Sequence, residues 1–240
     1  MQRRTFLSLC FLSAGALLPA GAGAGSPKGG PRYAMLVDVR RCVGCQACTV
    51  SCGVENLVPL GAFRTSVNEY AMGARPQAGL APALAVVPRL CNHCEEPACV
   101  PVCPVGATFR RDDGLVLIDA TVCIGCGFCV QACPYGARFL NRETRTADKC
   151  TFCAHRTAAG LLPACVENCV GGARIFGDME DAASPIRRVL DGYRKKVAVL
   201  YPEKNTKPAV YYIGLDDAFT EADHVPQPLP IHPAGRVHHG

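Results

Sequence analysis

Sixteen of the seventeen cysteines in this 240-residue chain fall into four groups of four, and their spacing constrains the fold more than any other feature. The second group runs Cys91-x2-Cys94-x4-Cys99-x3-Cys103-Pro104, and the third runs Cys123-x2-Cys126-x2-Cys129-x3-Cys133-Pro134. Three cysteines two to four residues apart wrap three thiolates around three corners of a cube. The fourth, held extended by the proline after it, is aimed away from them at a second cube. A disulfide framework has no need of this repeated rhythm. Paired C-x2-C knuckles also bind zinc, but zinc sites rarely carry a third cysteine two residues on and a fourth before proline. The pattern points to 4Fe–4S clusters.

Between these two groups, Ala107 to Asp119 reads as a short strand, a turn at Asp113-Gly114 and a strand of β-branched and apolar residues. Loop, hairpin and loop in this order resemble a bacterial two-cluster ferredoxin. The first group, Cys42-x2-Cys45-x2-Cys48-x3-Cys52, follows a predicted strand Tyr33 to Asp38, much as Cys123 follows Leu115 to Asp119. In both, an Asp stands four residues before the first cysteine, which marks an internal repeat. The fourth group, Cys150-x2-Cys153-x11-Cys165-x3-Cys169, could pass for a zinc site. An echo of C-x-x-G-A after Cys103, Cys133 and Cys169, continued by Arg138 and Arg174, places it with the others as a cluster motif carrying an insertion, Ala154 to Ala164.

Exchange of the fourth ligand predicts two pairs of clusters. Groups two and three are adjacent and both carry Cys-Pro, so they form the inner pair, and groups one and four close around it. One cluster is then held by Cys42, Cys45, Cys48 and Cys169, and another by Cys150, Cys153, Cys165 and Cys52. The inner pair uses Cys91, Cys94, Cys99 and Cys133, then Cys123, Cys126, Cys129 and Cys103. Neither Cys52 nor Cys169 precedes a proline, so the outer assignment rests on elimination.

The chain has no Trp, 7% aromatic residues, 24 Gly and 19 Pro, which argues against a large conventional core. The expected fold is a small, irregular α+β one: two fused bacterial-ferredoxin-like two-cluster modules, the inner nested within the outer, with loop insertions. The four-cluster domain is expected over residues 31–178, with insertions at 53–90 and 154–164. The first insertion holds one predicted strand near Phe63 to Tyr70, and both are candidate contact surfaces. Residues 179–200 read as a helix whose Arg187, Arg188, Arg194, Lys195 and Lys196 form a solvated face, within an extension that runs to 224. Residues 225–240, rich in Pro and His, read as a disordered tail.

Residues 1–24 read as a twin-arginine signal peptide: Arg3-Arg4, a short apolar run, then small residues at Ala20-Gly-Ala22 or Ala22-Gly-Ala24. The run is too short to favour a membrane anchor, and Leu9 before Cys10 does not suit a lipoprotein site. Export in the folded state agrees with clusters assembled before translocation, and implies a periplasmic, membrane-associated protein.

Gly44, Gly125 and Gly127 permit tight loops and close N–H approach to sulfur. Arg40, Arg41, Arg89, Arg110, Arg111, Arg138, Lys149, Arg156 and Arg174 lie near cysteines in sequence and are candidates for offsetting cluster charge. No nucleotide loop, P-loop or nucleophile–base pair is present, so no catalytic residue is expected. Four closed quartets make an electron conductor.

The order of the groups and Cys91-Asn-His93-Cys94-Glu-Glu-Pro97-Ala-Cys99 resemble the iron–sulfur subunits of molybdopterin oxidoreductases: dimethyl sulfoxide, polysulfide, thiosulfate and tetrathionate reductases. The resemblance covers about residues 33–178. Gly160 to Asp178 and Tyr212 to Phe219 are most similar to the tetrathionate reductase branch. The resemblance implies a molybdopterin catalytic subunit and a quinol-interacting membrane subunit as partners, with no nucleic acid. Alternatives are the same role in polysulfide, thiosulfate, dimethyl sulfoxide or arsenate reduction, an oxidase running the other way, or a free soluble polyferredoxin. A zinc-stabilised scaffold is a further class, and a colourless protein would mark it.

Overall fold

The structure is a computed structural model and describes residues 30–72, 83–193 and 197–215. The expected signal peptide and the tail 225–240 lie outside the described residues.

Strand β1 (Tyr33–Asp38) is the spine of the molecule. Its run Tyr-Ala-Met-Leu-Val-Asp lacks polar alternation because both faces are covered. Met35 and Val37 face a core shared with Phe152, Phe176, Tyr212 and the cysteines Cys48, Cys91, Cys150 and Cys165. Ala34 and Leu36 face a second cluster with Ile186 and Ile213. Burying a side chain such as Leu36, which is fully covered, contributes about 1.5–3 kcal/mol.

After β1 come helix α1 (Ala47–Glu55) and a hairpin of β2 (Thr65–Met72) with β3 (Ala83–Leu90), registered from Thr65 opposite Leu90 to Met72 opposite Ala83. The insertion at 53–90 therefore holds two strands where one was expected. Pro88 argues against a strand in sequence, yet it pairs with Val67, and its carbonyl accepts the Tyr212 hydroxyl at 3.0 Å.

Two small hairpins carry the middle of the chain. Strands β4 (Thr108–Arg110) and β5 (Val116–Ile118) pair across the Asp113-Gly114 turn, where Gly114 sits at φ +84°. After the short helix α2 (Phe128–Gln131), β6 (Arg138–Leu140) pairs with β7 (Ala147–Lys149). Helix α3 (Ala154–Ala158) lies in the second insertion, followed by α4 (Ala164–Glu167) and strand β8 (Arg174–Asp178).

The predicted helix over 179–200 is shorter in the structure. Helix α5 runs Pro185–Tyr193. Proline suits a first helical turn, and Asp181 shapes the turn before it by accepting the Ala183 N–H at 2.8 Å. The chain then changes to strand, because β9 (Val197–Ala198) pairs with β10 (Val210–Ile213). The main sheet has the order β8-β1-β10-β9, with β10 parallel to β1 and β8 antiparallel to it. The C-terminal extension thus closes onto the first strand, and Tyr212 is fully buried in the main core.

Candidate metal centres

Each cysteine group opens with a C-x-x-C loop whose third residue has a left-handed backbone. Gly44 and Gly125 do so at φ +70°, His93 at φ +43° and Phe152 at φ +51°. That turn lets the first two thiols face the same volume. A Cβ on Gly125 would collide with the carbonyl oxygen of Arg145, so the third loop admits only glycine there.

The C-x-x-G-A echo also has a mechanical meaning. Gly106, Gly136 and Gly172 all lie at positive φ. The curl turns the following N–H back to the thiol: Ala173 N–H donates to Cys169 Sγ at 3.1 Å. Burial works upward on the Cys103 thiol, but N–H groups of Thr108, Val105 and Ala107 outweigh it and bring the thiol below its ordinary value.

Three quartets surround cavities. Cys42, Cys45, Cys48 and Cys169 line the first, with Arg41 and Arg174. Cys91, Cys94, Cys99 and Cys133 line the second, with Asn92, Arg138 and Thr206. Cys52, Cys150, Cys153 and Cys165 line the third, with Asn56 and Arg64. In the remaining quartet, Cys123 and Cys129 pack beside Cys99 and Val116, and Ala147 N–H donates to Cys123 Sγ at 3.4 Å. Cys103 is half-buried and Cys126 is exposed.

The cavities suit a sulfide-bearing group. Each of the three is lined by a residue with a buried N–H that has no protein acceptor: Arg174 Nε, Asn92 Nδ2 and Arg64 Nε in turn. Buried donors in folded proteins nearly always have partners, and an inorganic sulfide would accept from all three. Among the described residues no three His, Cys, Asp or Glu side chains sit close enough for a single metal ion. A quartet spread around a cube is wider than that. Burial pushes the Cys52 and Cys94 thiols up to about 12 and Cys150 well above its ordinary value. Such thiols become thiolates only against iron and nearby cations.

Two of the nine candidate cations donate to thiols, and a third, Lys149, is acted on by them. Arg174 donates to Cys48 Sγ at 3.4 Å, to Cys165 Sγ at 3.7 Å and to Thr65 Oγ1 at 2.7 Å. Arg138 donates to Cys99 Sγ at 2.9 Å and to Thr108 Oγ1 at 3.2 Å, and stands beside Cys91 and Cys129. Burial alone works against both guanidinium charges, but the neighbouring thiols raise both above their ordinary values. Burial lowers the Lys149 pKa, and the thiols of Cys91, Cys150 and Cys99 work against that shift. Arg41 lines the first cavity. The others serve elsewhere: Arg40 and Arg111 pair with Asp38 and Asp113, Arg156 with Glu55 and Glu167, and Arg89 donates to the Tyr135 carbonyl. Arg110 is exposed.

Sequence reasoning missed Thr206, which reaches the second cavity from the C-terminal extension and hydrogen-bonds the Tyr135 hydroxyl at 2.5 Å. It also missed Arg64 and Asn56, whose Nδ2 donates to Cys52 Sγ at 3.6 Å. No spacing pattern marks these residues. Asn56 ends α1 one turn after Cys52, Arg64 stands just before β2, and Thr206 is brought in by the return of the chain to β1.

Cysteine quartets gathered around cavities, with buried donors and cations turned toward the thiols, define a ferredoxin-type electron carrier. The 4Fe-4S dicluster domain family matches residues 82–179 and, in a second form, residues 41–107. The chain is 57% identical over 227 residues to a tetrathionate reductase subunit of Salmonella typhimurium, covering 91% of this chain and 90% of that one. It is 48% identical to a tetrathionate reductase subunit of Archaeoglobus fulgidus, covering 78% and 84%. A putative dimethyl sulfoxide reductase iron-sulfur subunit of Halobacterium salinarum is 41% identical, covering 76% and 79%. The chain belongs to the iron–sulfur electron-transfer subunits of the molybdopterin oxidoreductases, and it carries 4Fe–4S clusters. Among the described residues no helix is long and apolar enough to cross a membrane.

Proposed function

We propose that this chain connects a quinol-oxidising membrane subunit to a molybdopterin catalytic subunit in a tetrathionate-reductase-type respiratory complex. One observation carries the reading: a cation accompanies the thiols of each successive pair of proposed quartets, which supports an unbroken series. Arg174 donates to Cys48 and Cys165, Arg138 donates to Cys99 and is acted on by Cys129, and Lys149 donates to the Cys150 carbonyl and is acted on by the Cys91 thiol. Cys45 and Cys126, in the quartets at the two ends, are exposed, whereas all four cysteines of the Cys52 quartet are buried.

The ligand sets are Cys42, Cys45, Cys48 and Cys169; Cys52, Cys150, Cys153 and Cys165; Cys91, Cys94, Cys99 and Cys133; and Cys103, Cys123, Cys126 and Cys129. Bound there, each 4Fe–4S cluster supplies a one-electron carrier whose thiolate ligands leave no open position for a substrate. The chain's own residues exclude water, donate N–H groups to sulfur and offset negative charge. Arg174 serves the outer pair of quartets and Arg138 the inner pair, which supports an inner module nested within an outer one over residues 31–178.

Apolar side chains at both ends support a partner at each. Val43, Val50, Val54, Leu57 and Leu60 are exposed on the loop and helix around Cys45 and Cys52, and Val122, Ile124 and Phe128 around Cys126. Exposed apolar side chains grouped on one loop and helix support contact with another protein. The Arg3-Arg4 leader supports export of the folded chain to the periplasm.

The test is iron and acid-labile sulfide content of anaerobically purified protein, with EPR of the reduced sample. Four clusters give about sixteen of each per chain (4 × 4). Zinc in place of iron overturns the reading. The purified complex should reduce tetrathionate with a quinol donor. Reduction of thiosulfate, polysulfide, dimethyl sulfoxide or arsenate instead reassigns the complex and keeps the role.

A further inference from the structure

His93 and Phe152 occupy the C-x-x-C position that glycine fills in the other two loops, and both hold a left-handed backbone there. For a residue with a Cβ this conformation costs energy and persists where the surroundings require it. Here the two rings stack on each other, with centroids 3.8 Å apart and planes 25° from parallel. The stack presses the loop of Cys91 and Cys94 against the loop of Cys150 and Cys153, which belong to different cysteine pairs.

Lys149 lies in this junction and is 1% exposed. Its ammonium donates to the carbonyl of Val116, and to that of Cys150 at 2.7 Å. The N–H of the same Val116 donates to His93 Nδ1 at 3.1 Å, so the stack and the ammonium share one backbone anchor. Among the described residues no carboxylate is paired with Lys149. A buried cation held only by carbonyls calls for a further negative charge, and the thiols of Cys91, Cys150 and Cys99 favour its charge against burial and the Arg138 guanidinium.

We infer that Lys149 sets the reduction potentials of the two interior centres together, those held by the Cys91 and the Cys150 quartets. The inference rests on the ligand sets proposed above. An electron added to either centre increases its negative charge, and an ammonium in a dry junction stabilises that charge strongly. One cation between two centres raises both potentials in step and keeps the transfer between the two modules close to balanced. The His93–Phe152 stack acts as the cover that excludes water, and so sustains the effect of the charge.

The experiment is an EPR-monitored redox titration of the full chain, purified anaerobically, as wild type, Lys149→Gln, Lys149→Met and Lys149→Arg. Iron and sulfide are counted first, so wild-type protein without clusters sinks the centre assignment itself. In the two neutral variants, two of the four midpoints should fall by about 59 mV, a tenfold change in a one-electron equilibrium. The other two midpoints should stay in place, and the Arg variant should keep all four. Unmoved midpoints in neutral variants that hold all four clusters overturn this inference alone. A uniform fall of all four overturns it, as does the same fall in the Arg variant. Loss of the two clusters in both neutral variants makes Lys149 a structural residue and overturns it too.

Discussion

Arg138 and Arg174 hold equivalent places after the third and fourth cysteine groups. Each stands five residues after the last cysteine of its group, is nearly fully buried, and donates to a threonine that opens a strand, Thr108 or Thr65. Each also donates to the third cysteine of a group, Cys99 for Arg138, and both Cys48 and Cys165 for Arg174. Repetition of sequence has become repetition of electrostatics: one guanidinium for each pair of quartets.

That relationship separates the two arginines experimentally. Arg174→Gln should lower the potentials of the Cys42 and Cys52 centres, and Arg138→Gln those of the Cys91 and Cys123 centres, because each removes positive charge from one pair. EPR-monitored titration reads the shifts. Four midpoints that move together in either variant would refute pairwise tuning.

Cys52 is buried among Cys150, Cys153 and Cys165 rather than beside Cys42. Cys52→Ser should therefore cost the Cys150 centre, about four of sixteen irons, and leave the Cys42 centre's signal intact. Loss of the Cys42 signal, with the Cys150 signal kept, would reverse the outer-pair assignment.

Two glycines should respond oppositely to alanine. Gly125→Ala forces a methyl into the Arg145 carbonyl at φ +70°, so it should cost more than about 2 kcal/mol or prevent the third centre from assembling. Gly53 lies within α1 with open space at its Cβ position. Gly53→Ala should stabilise by up to about 1 kcal/mol. Thermal melts with iron counts distinguish the two, and equal behaviour would contradict the loop geometry.

Tyr212 ties β10 to the β2–β3 hairpin through its bond to the Pro88 carbonyl. Tyr212→Phe should cost about 1 kcal/mol through the lost hydrogen bond. Tyr212→Ala should cost about 3–5 kcal/mol through the cavity it leaves. Denaturant midpoints measure both, and an unaffected Ala variant would show that β10 is not part of the core.

Much of the local architecture was legible. Tyr33 to Asp38 reads as a strand because it is a buried apolar run, and the Asp113-Gly114 turn announces its hairpin. Strand β3 was hidden by Pro88, which ordinarily argues against pairing; the hairpin tolerates it because β3 is an edge strand of a two-stranded sheet. The helix predicted over 179–200 was overdrawn because charge and apolar spacing say nothing of a chain that must extend at Val197 to meet β10. Of nine candidate cations, proximity in sequence could not separate Arg138, Lys149 and Arg174 from those that found carboxylates.

By itself the sequence determined the cysteine loops. Spacings of two to four residues, left-handed glycines and the C-x-x-G-A curl act over a few residues, and backbone sterics suffice to orient the thiols. Tertiary structure alone decided how the Cys91 and Cys150 loops meet, which cations accompany the thiols and how the chain ends join. Met35 pairs with Val210 across the whole described chain, and His93 stacks on Phe152 from a different cysteine group. Such contacts depend on burial and charge shared by distant residues, and no local pattern encodes them.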